Sequence, residues 1–292
     1  MKRQKASYFG SVRFYKNLIF IVVLLLVFLG VFFSLHYRSR YKELLKKTVV
    51  SDGTVDYSVE AEGPYYQSLY PDFYAPQEYG ATVRRSREVY LTFDILSYQG
   101  TEDILKTLQE KNVKATFFVT GSSDPEEQKI LKEIVDNGHT IGMLSWSKDY
   151  ATVYGSVESY LADMHQISTY IHEATGVTPV VFRFLGGSIN SYNTGIYREL
   201  IAEMVRRGFV PYDWNVSTQE GQTTPTAEAQ TAVVTGALEH MDRAIVLLQD
   251  TQDQQILMQA LPEIIDAVQA TDYSMNPLDP EIKPILFSYN TR

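Results

Sequence analysis

The sequence predicts an α/β protein in which strands and helices alternate as in a (β/α) barrel, complete or incomplete, behind one transmembrane helix and a stem. Three observations support this prediction. Residues 18–35, LIFIVVLLLVFLGVFFSL, contain no charged side chain. Residues 48–85 are polar, rich in tyrosine and without a sustained hydrophobic period. From Glu88 onwards, short apolar runs alternate with amphipathic segments almost to the end of the 292-residue chain, which is the order of elements in strand–helix barrels.

The N-terminal segment predicts a membrane anchor. Eighteen uncharged residues are long enough to cross a bilayer as a helix. A cleaved signal peptide would have a shorter apolar core followed by small residues, whereas HYRSRYKELLKK follows here. The first 16 residues carry five basic side chains and no acid, which favours a cytoplasmic N-terminus and an extracellular C-terminal domain. We therefore expect a basic tail (1–16), a single-pass cell-membrane anchor (17–36), a stem (37–86) and a domain (87–292).

The elements of the domain follow in order from residue 88. The strand VYLTF ends at Asp94 and precedes a helix over residues 101–111, for which Thr101 is the expected N-cap. The next helix has Asp124 as N-cap, Pro125 in its first turn and Gly138 beyond its end. A doubly wound open sheet is the alternative, but it needs a phosphate-binding glycine loop after the first strand, and FDILSYQG is not one. The other predicted strands are KATFFVTG, HTIGML, VVFRF, FVPYDW, AIVLLQ and KPILFSY, and a helix follows each of them except the last.

Composition narrows the possible functions. The net charge of -9 argues against nucleic acid as a partner, because phosphate binding needs clustered lysine and arginine. The chain has no cysteine, which excludes disulfides, thiolate metal sites and a cysteine nucleophile. It has five histidines. A metal site or a general base must therefore use these histidines or carboxylates.

The ends of the predicted strands carry a candidate site, because barrel enzymes place their chemistry just beyond the C-terminal ends of the strands. Singly, each of these positions could be an ordinary polar strand end. Together they give an acid, an arginine, a second acid, a tryptophan and an amide from separate strands. The positions are Asp94 and Ile95, Leu144 with Lys148, Arg183, Asp213 with Trp214, and Gln249 with Asp250.

At these positions the chain resembles a known family. The stretches LTFDIL, GHTIGMLSWSKDY, VFRFLGGSIN, YDWNVS and IVLLQD resemble, in order and spacing, the five motifs of the NodB-type polysaccharide deacetylases (carbohydrate esterase family 4). The resemblance covers about residues 86–270. It implies a distorted (β/α) barrel, a divalent metal such as zinc, and removal of acetyl groups from N-acetylated sugars in peptidoglycan, chitin and related polymers.

The resemblance also implies a role for each motif position. Asp94 matches the catalytic base, but Ile95 replaces a neighbouring aspartate that binds the metal. Leu144 and Lys148 stand where the family has two metal-binding histidines.

The remaining motifs are partly retained. Arg183 matches the arginine that holds the base, and Asp213 and Trp214 match the fourth motif. Gln249 replaces the histidine that acts as the acid. Trp214, Leu247 and Gly186 are the expected substrate-binding positions, and Leu185 replaces a proline of the third motif.

These replacements predict a pseudoenzyme without a metal cofactor. The expected function is that of a membrane-anchored cell-envelope protein that binds N-acetylated glycan, such as peptidoglycan, or a partner protein. An active deacetylase with a non-standard site is one alternative, and a structural scaffold of an envelope complex is another.

Two further expectations concern the site itself. The Lys148 ammonium could occupy the vacated cation position and form a charge-balanced cluster with Asp94, Arg183 and Asp213, or it could point into solvent. Aromatic side chains near the strand ends could line a groove for sugar rings, although about half of them could instead belong to the core. These side chains are Tyr98, Trp146, Tyr150, Tyr192 and Trp214.

Overall fold

The structure is a computed structural model that describes residues 14–22, 63–76, 83–218, 226–249 and 254–287. The chain divides into two compact units, Met1–Gly63 and Pro64–Arg292. In the first unit, residues 14–22 form a helix. No helix in the described ranges is long and apolar enough to cross a membrane. Most of the predicted anchor (residues 23–36) and much of the stem (37–62 and 77–82) lie outside these ranges, so both remain predictions.

The described part of the second unit is built on eight strands, and every pairing among them is parallel, which confirms the predicted α/β class. The sheet runs in the order β5-β4-β3-β2-β1-β7-β6, and β8 pairs with the first residues of β1. Within the part of the chain that the structure describes, β5 and β6 do not pair, so the sheet curves as an open barrel. The strands are β1 (Glu88–Ile95), β2 (Thr116–Thr120), β3 (Thr140–Ser145), β4 (Val181–Phe182), β5 (Val210–Pro211), β6 (Val216–Ser217), β7 (Arg243–Gln249) and β8 (Ser274–Met275).

Seven α-helices connect and cover the strands in the described ranges of this unit. All eight residues of β1 and all five of β2 are buried, as expected for strands with packing on both faces. Asp124 caps its helix as predicted, through a bond that its side chain accepts from the Glu126 amide. The helices are α1 (Thr101–Glu110), α2 (Pro125–Asp136), α3 (Tyr150–Val153), α4 (Val157–Thr175), α5 (Tyr197–Arg206), α6 (Ala227–Leu238) and α7 (Gln254–Gln269).

The start of α1 differs from the prediction. Thr101 is the first helical residue, and Gly100 is the N-cap with a φ of 81°. This left-handed conformation suits glycine, which has no Cβ to clash with the backbone. Thr101 is buried, and its hydroxyl has no hydrogen-bond partner among the residues that the structure describes, so it does not cap the helix.

The predicted closing strand KPILFSY is wrong for its described residues, 283–287, which are not in a strand. Pro284 cannot donate to a ladder, and the segment instead makes separate bonds. The Lys283 amide donates to the Val83 carbonyl, and the Ile285 carbonyl accepts from the Asp213 amide. Two short strands that were not predicted from the sequence also belong to the sheet: β6 pairs with β7, and β8 pairs with β1.

Part of the predicted stem packs on the domain. We call residues 64–75 the strap. Its carbonyl groups accept hydrogen bonds from the guanidinium of Arg207, which is fully buried at the end of α5. Arg207 also donates to Glu203, a buried acid that pairs with Arg206 as well. The strap carbonyls belong to Tyr66, Leu69, Tyr70 and Phe73.

Candidate active site

A buried ion pair lies where the central strands end. Asp94 is the last but one residue of β1, and Arg183 follows β4 directly. Because the strands are parallel, their carboxyl ends share one edge of the sheet. There an Arg183 amino group donates to Asp94 Oδ1 at 2.7 Å. The structure thus brings together the predicted base and the arginine expected to hold it.

The surroundings of Arg183 fix its orientation. The Nε donates to the Tyr212 carbonyl at 2.9 Å, and Nη2 donates to the Asp213 carbonyl at 3.4 Å. The guanidinium carbon lies 4.3 Å from the ring centre of Phe118 and 5.4 Å from that of Trp214. These contacts compensate a cation with no exposed surface.

Asp213 has a separate role from Asp94. Its carboxylate accepts bonds from the Ser188 amide at 2.9 Å, from the Ser188 hydroxyl, and from the Phe287 amide at 2.7 Å. The side chain therefore joins the loop after β4 to the C-terminal segment. Burial raises its pKa, against the lowering effect of these bonds and of Arg183.

Burial also dominates the protonation of Asp94. It raises the pKa of this carboxyl above its usual range, Arg183 lowers it, and the charge of Asp213 raises it further. Because its pKa is higher in the folded protein than in the unfolded chain, Asp94 keeps its proton up to a higher pH when the protein is folded. The contribution of Asp94 to stability is therefore full below its unfolded pKa and is lost as the pH rises through the folded pKa.

This sign predicts the behaviour of Asp94→Asn, which removes the titration and keeps the side-chain shape. The free energy of unfolding of the wild type minus that of the variant should fall as the pH rises from about 4, by about 1.4 kcal/mol for each unit of pKa elevation. Urea unfolding over a pH series measures this difference. A difference that grew with pH would show that Arg183, not burial, controls Asp94.

The three positions that the resemblance predicts to correspond to metal ligands hold two buried aliphatic side chains and an exposed cation. Ile95 has no exposed surface, and Leu144 has almost none. Lys148 is exposed in the loop between β3 and α3. No group of three or more His, Cys, Asp or Glu side chains that could hold a metal ion occurs among the residues described.

Of the two expectations for Lys148, the structure shows the one in which it faces solvent, and no ion pair joins it to Asp94, Arg183 or Asp213 among the described residues. Lys148 lies directly before Asp149, whose side chain caps α3 by accepting bonds from the Ala151 and Thr152 amides. An exposed ammonium keeps its hydration, whereas burial would need full compensation. The charged groups that do meet are Asp94 and Arg183.

The other predicted positions lie around the ion pair. In the parallel register, Gln249 is the β7 partner of Asp94. Leu247 is buried two residues earlier, opposite Thr92. Gly186 has a φ of 76°, and a Cβ there would lie 2.7 Å from the ring of Tyr150. Both the left-handed backbone conformation and the nearby ring therefore favour glycine at this position.

The five candidate groove aromatics have different environments. Tyr98 is buried, and its hydroxyl donates to the Thr120 carbonyl. Trp146 packs flat on Gly121 and edge-on to Tyr170. Trp214 is half-buried between Arg183 and Phe287, whose ring centre is 4.9 Å away. Tyr150 and Tyr192 form a pair at 5.2 Å, and the groove itself stays a prediction.

The sequence and the fold of this chain are similar to those of known proteins. The polysaccharide deacetylase pattern matches residues 82–205. The peptidoglycan-N-acetylglucosamine deacetylase of Bacillus cereus is 27% identical over 225 residues, 75% of this chain and 78% of that protein. The catalytic domain of peptidoglycan N-acetylglucosamine deacetylase from Eubacterium rectale is 30% identical with a TM-score of 0.67, covering 74% of this chain and 100% of that chain. The chain belongs to the polysaccharide deacetylase family.

The fold of this polysaccharide deacetylase chain is also similar to that of a CE4 family pseudoenzyme from Bacillus anthracis. The TM-score is 0.56 at 21% identity, covering 70% of this chain and 68% of that chain. At this identity the similarity concerns the fold alone.

Three residues of the polysaccharide deacetylase site were missed from the sequence. Asp163 on α4 accepts bonds from the Ser145 hydroxyl and from the amides of the next two residues, and so holds the loop after β3. Its acid interrupts an otherwise apolar helix face, a signal that could have revealed it. Ser188 and Phe287 bind Asp213 through contacts distant in sequence, for which no local signal exists.

Proposed function

We propose that this member of the polysaccharide deacetylase family is catalytically inactive and binds N-acetylated cell-wall glycan at the carboxyl ends of its strands. The observation that carries the proposal is the set of side chains at the metal-ligand positions. Zinc binds carboxylate, imidazole or thiolate groups. Ile95 and Leu144 offer no donor atom, and Lys148 is a cation with no acceptor. These residues do not fit a metal ion.

The energetic consequence of this replacement is large. A bound zinc ion lowers the pKa of water from about 15.7 to about 7, which corresponds to on the order of 10 kcal/mol of assistance in forming the nucleophile. Gln249 is also a poor substitute for a histidine acid, because its amide does not give up a proton at neutral pH. Asp94 retains the position of a base but has no activated water to use.

Binding without turnover fits what the site retains. The Asp94–Arg183 pair offers polar groups to the hydroxyls of one sugar ring, and the Tyr150–Tyr192 pair beside it offers aromatic faces to the C–H bonds of a neighbouring ring in a glycan chain. The B. cereus and E. rectale relatives are named for peptidoglycan N-acetylglucosamine. This similarity supports the same sugar class as the ligand here.

The proposal includes a location at the cell surface. The uncharged segment 18–35 would cross the membrane once, with the basic tail inside and the barrel outside, where cell-wall glycan is found. In the sequence, the strap comes after the proposed membrane span and before the barrel. Reaction of a single engineered cysteine with a membrane-impermeant maleimide on intact cells tests this topology, since the native chain has no cysteine. Labelling at residue 65 but not at residue 5 is expected.

One experiment on the purified full-length chain tests the function. The chain is solubilised in a detergent without a sugar headgroup, exposed to zinc, dialysed and analysed for metal. It is then titrated with N-acetylglucosamine oligosaccharides, and acetate release is measured in parallel. We expect saturable binding, no stoichiometric zinc and no acetate.

The other results would select the alternatives. Stoichiometric metal together with acetate release would show an active deacetylase with ligands elsewhere on the rim. Absence of both acetate and glycan binding would favour a scaffold.

A further inference from the structure

The aromatic pair Tyr150–Tyr192 is placed to bind a second sugar ring. Of the five candidate groove aromatics, Tyr98, Trp146 and Trp214 are held in internal contacts by other side chains. Tyr192, by contrast, is 56% exposed and lies 5.2 Å from the half-buried ring of Tyr150, with 42° between their planes. An accessible aromatic surface therefore remains beside the ion pair after the internal aromatics are excluded.

This surface adjoins the ion pair through Gly186. The Tyr150 hydroxyl lies so close to Gly186 that a Cβ there would be 2.8 Å from it. Gly186 is three residues beyond Arg183, the partner of Asp94. The Asp94 charge also contributes, after burial, to a raised pKa of Tyr150. A ligand over Asp94 would therefore lie next to the aromatic pair.

The loop that carries Tyr192 is fixed by amide side chains. Asn190 accepts from the Tyr192 amide at 2.9 Å and donates to the carbonyls of Leu185 and Gly187. Asn193 is fully buried and donates to the Ser188 carbonyl. A surface held in place before binding loses less entropy when a ligand arrives.

Polar atoms next to the pair are available to a ligand. The Tyr150 hydroxyl makes no hydrogen bond within the described ranges, and Asp94 Oδ2 accepts none from the residues described there. An aromatic face flanked by an acceptor and a hydroxyl matches a pyranose ring better than it matches a purely apolar group.

We propose that Tyr150 and Tyr192 form a second sugar subsite, which binds the chain neighbour of the N-acetylated sugar held over the Asp94–Arg183 pair. This inference rests on the proposed glycan-binding function. It assigns the aromatic platform to Tyr192 and Tyr150 instead of Trp214, which is half-buried and makes an edge-to-face contact with Phe287. The ligand class is a linear N-acetylated glycan of two or more residues.

The length dependence of binding tests this subsite. Calorimetry on the full-length protein would compare N-acetylglucosamine with its tetrasaccharide for the wild type, Tyr192→Ala, Tyr192→Phe and Tyr65→Ala. Tyr192→Ala should weaken tetrasaccharide binding by about tenfold, in line with the size of aromatic contacts, and leave monosaccharide binding unchanged. Tyr192→Phe should retain tetrasaccharide affinity because the ring is kept. Tyr65, 73% exposed on the strap, is the matched control and should have no effect.

The outcomes separate the two proposals. If the wild type binds the sugars but Tyr192→Ala binds the tetrasaccharide equally well, the subsite is overturned and the proposed function stands. If Tyr192→Ala weakens both sugars equally, the pair is not a separate subsite. If the wild type binds neither sugar, the proposed function fails, and the subsite fails with it.

Discussion

A variant with four substitutions is expected to bind zinc and to release acetate from N-acetylated oligosaccharides, unlike the wild type. Ile95→Asp, Leu144→His and Lys148→His supply one carboxylate and two imidazoles, a ligand set that zinc accepts. Gln249→His supplies an acid. Asp94 and Arg183 already form the pair expected of the base and its holder. Acetate release by the quadruple variant should exceed that of the triple variant without Gln249→His by about 10²- to 10⁴-fold, the usual contribution of general acid catalysis.

Stability gives a second measurement of the same design. Ile95 and Leu144 are buried, so aspartate and histidine there should destabilise the metal-free variant. Zinc that binds only the folded state at about 100 times its Kd should return about 2.7 kcal/mol. The control adds Asp94→Asn to the quadruple variant, which should keep the zinc-dependent rise in Tm and lose acetate release. If zinc does not raise the Tm of the quadruple variant, the side chains at positions 95, 144 and 148 do not point to one metal position. That result would contradict the inferred loss of a metal site.

Arg207→Ala should cause a large loss of stability, of about 3 kcal/mol or more in the free energy of unfolding. Arg207 is fully buried and donates to four strap carbonyls and to Glu203. Its removal leaves these carbonyls without a donor and the buried Glu203 with less compensation, and breaking such a pair typically costs about 3–5 kcal/mol. Arg207→Lys should lose nearly as much, because an ammonium lacks the planar fork that reaches several acceptors. Urea unfolding measures the change.

Arg206→Ala is the matched control, because Arg206 pairs with the same acid and also donates to the strap, at the Gln67 carbonyl and the Tyr74 hydroxyl, but from a partly exposed position. Its side chain is 37% exposed, so the loss should be about 1 kcal/mol or less. Limited proteolysis gives an independent measurement: the strap should become cleavable in Arg207→Ala and stay protected in Arg206→Ala. Equal losses of stability in the two variants would show that burial of the Arg207 contacts is not what holds the strap.

Elements with clear periods were predictable from the sequence, and some of the short ones were not. The strand before Asp94 and the helix capped by Asp124 were recognised because their apolar spacing and cap residues are local signals. The two-residue strands β6 and β8 carry no such signal, since their pairing depends on distant partners. Residues 283–287 were mistaken for a strand because an apolar run resembles one, although Pro284 interrupts the donors.

Site residues were predictable from the sequence where the ends of the strands determine their positions. Asp94 and Arg183 meet because parallel strands bring their carboxyl ends to one edge. Lys148 could not be placed in this way, because the loop after β3 is set by the contacts of Asp163 and by the Asp149 cap. The edge-to-face contact of Trp214 with Phe287 also depends on a chain segment far away in the sequence.

The central position of β1 has a consequence for how the chain folds. The Thr92 hydroxyl on β1 donates to the Val246 carbonyl on β7, a partner 154 residues further along the chain. One edge of the innermost strand therefore stays unpaired until most of the domain has been synthesised. Native contacts at such sequence separation slow folding and leave intermediates prone to aggregation. Emergence of β7, rather than formation of the early helices, is the step at which the nascent domain can become stable.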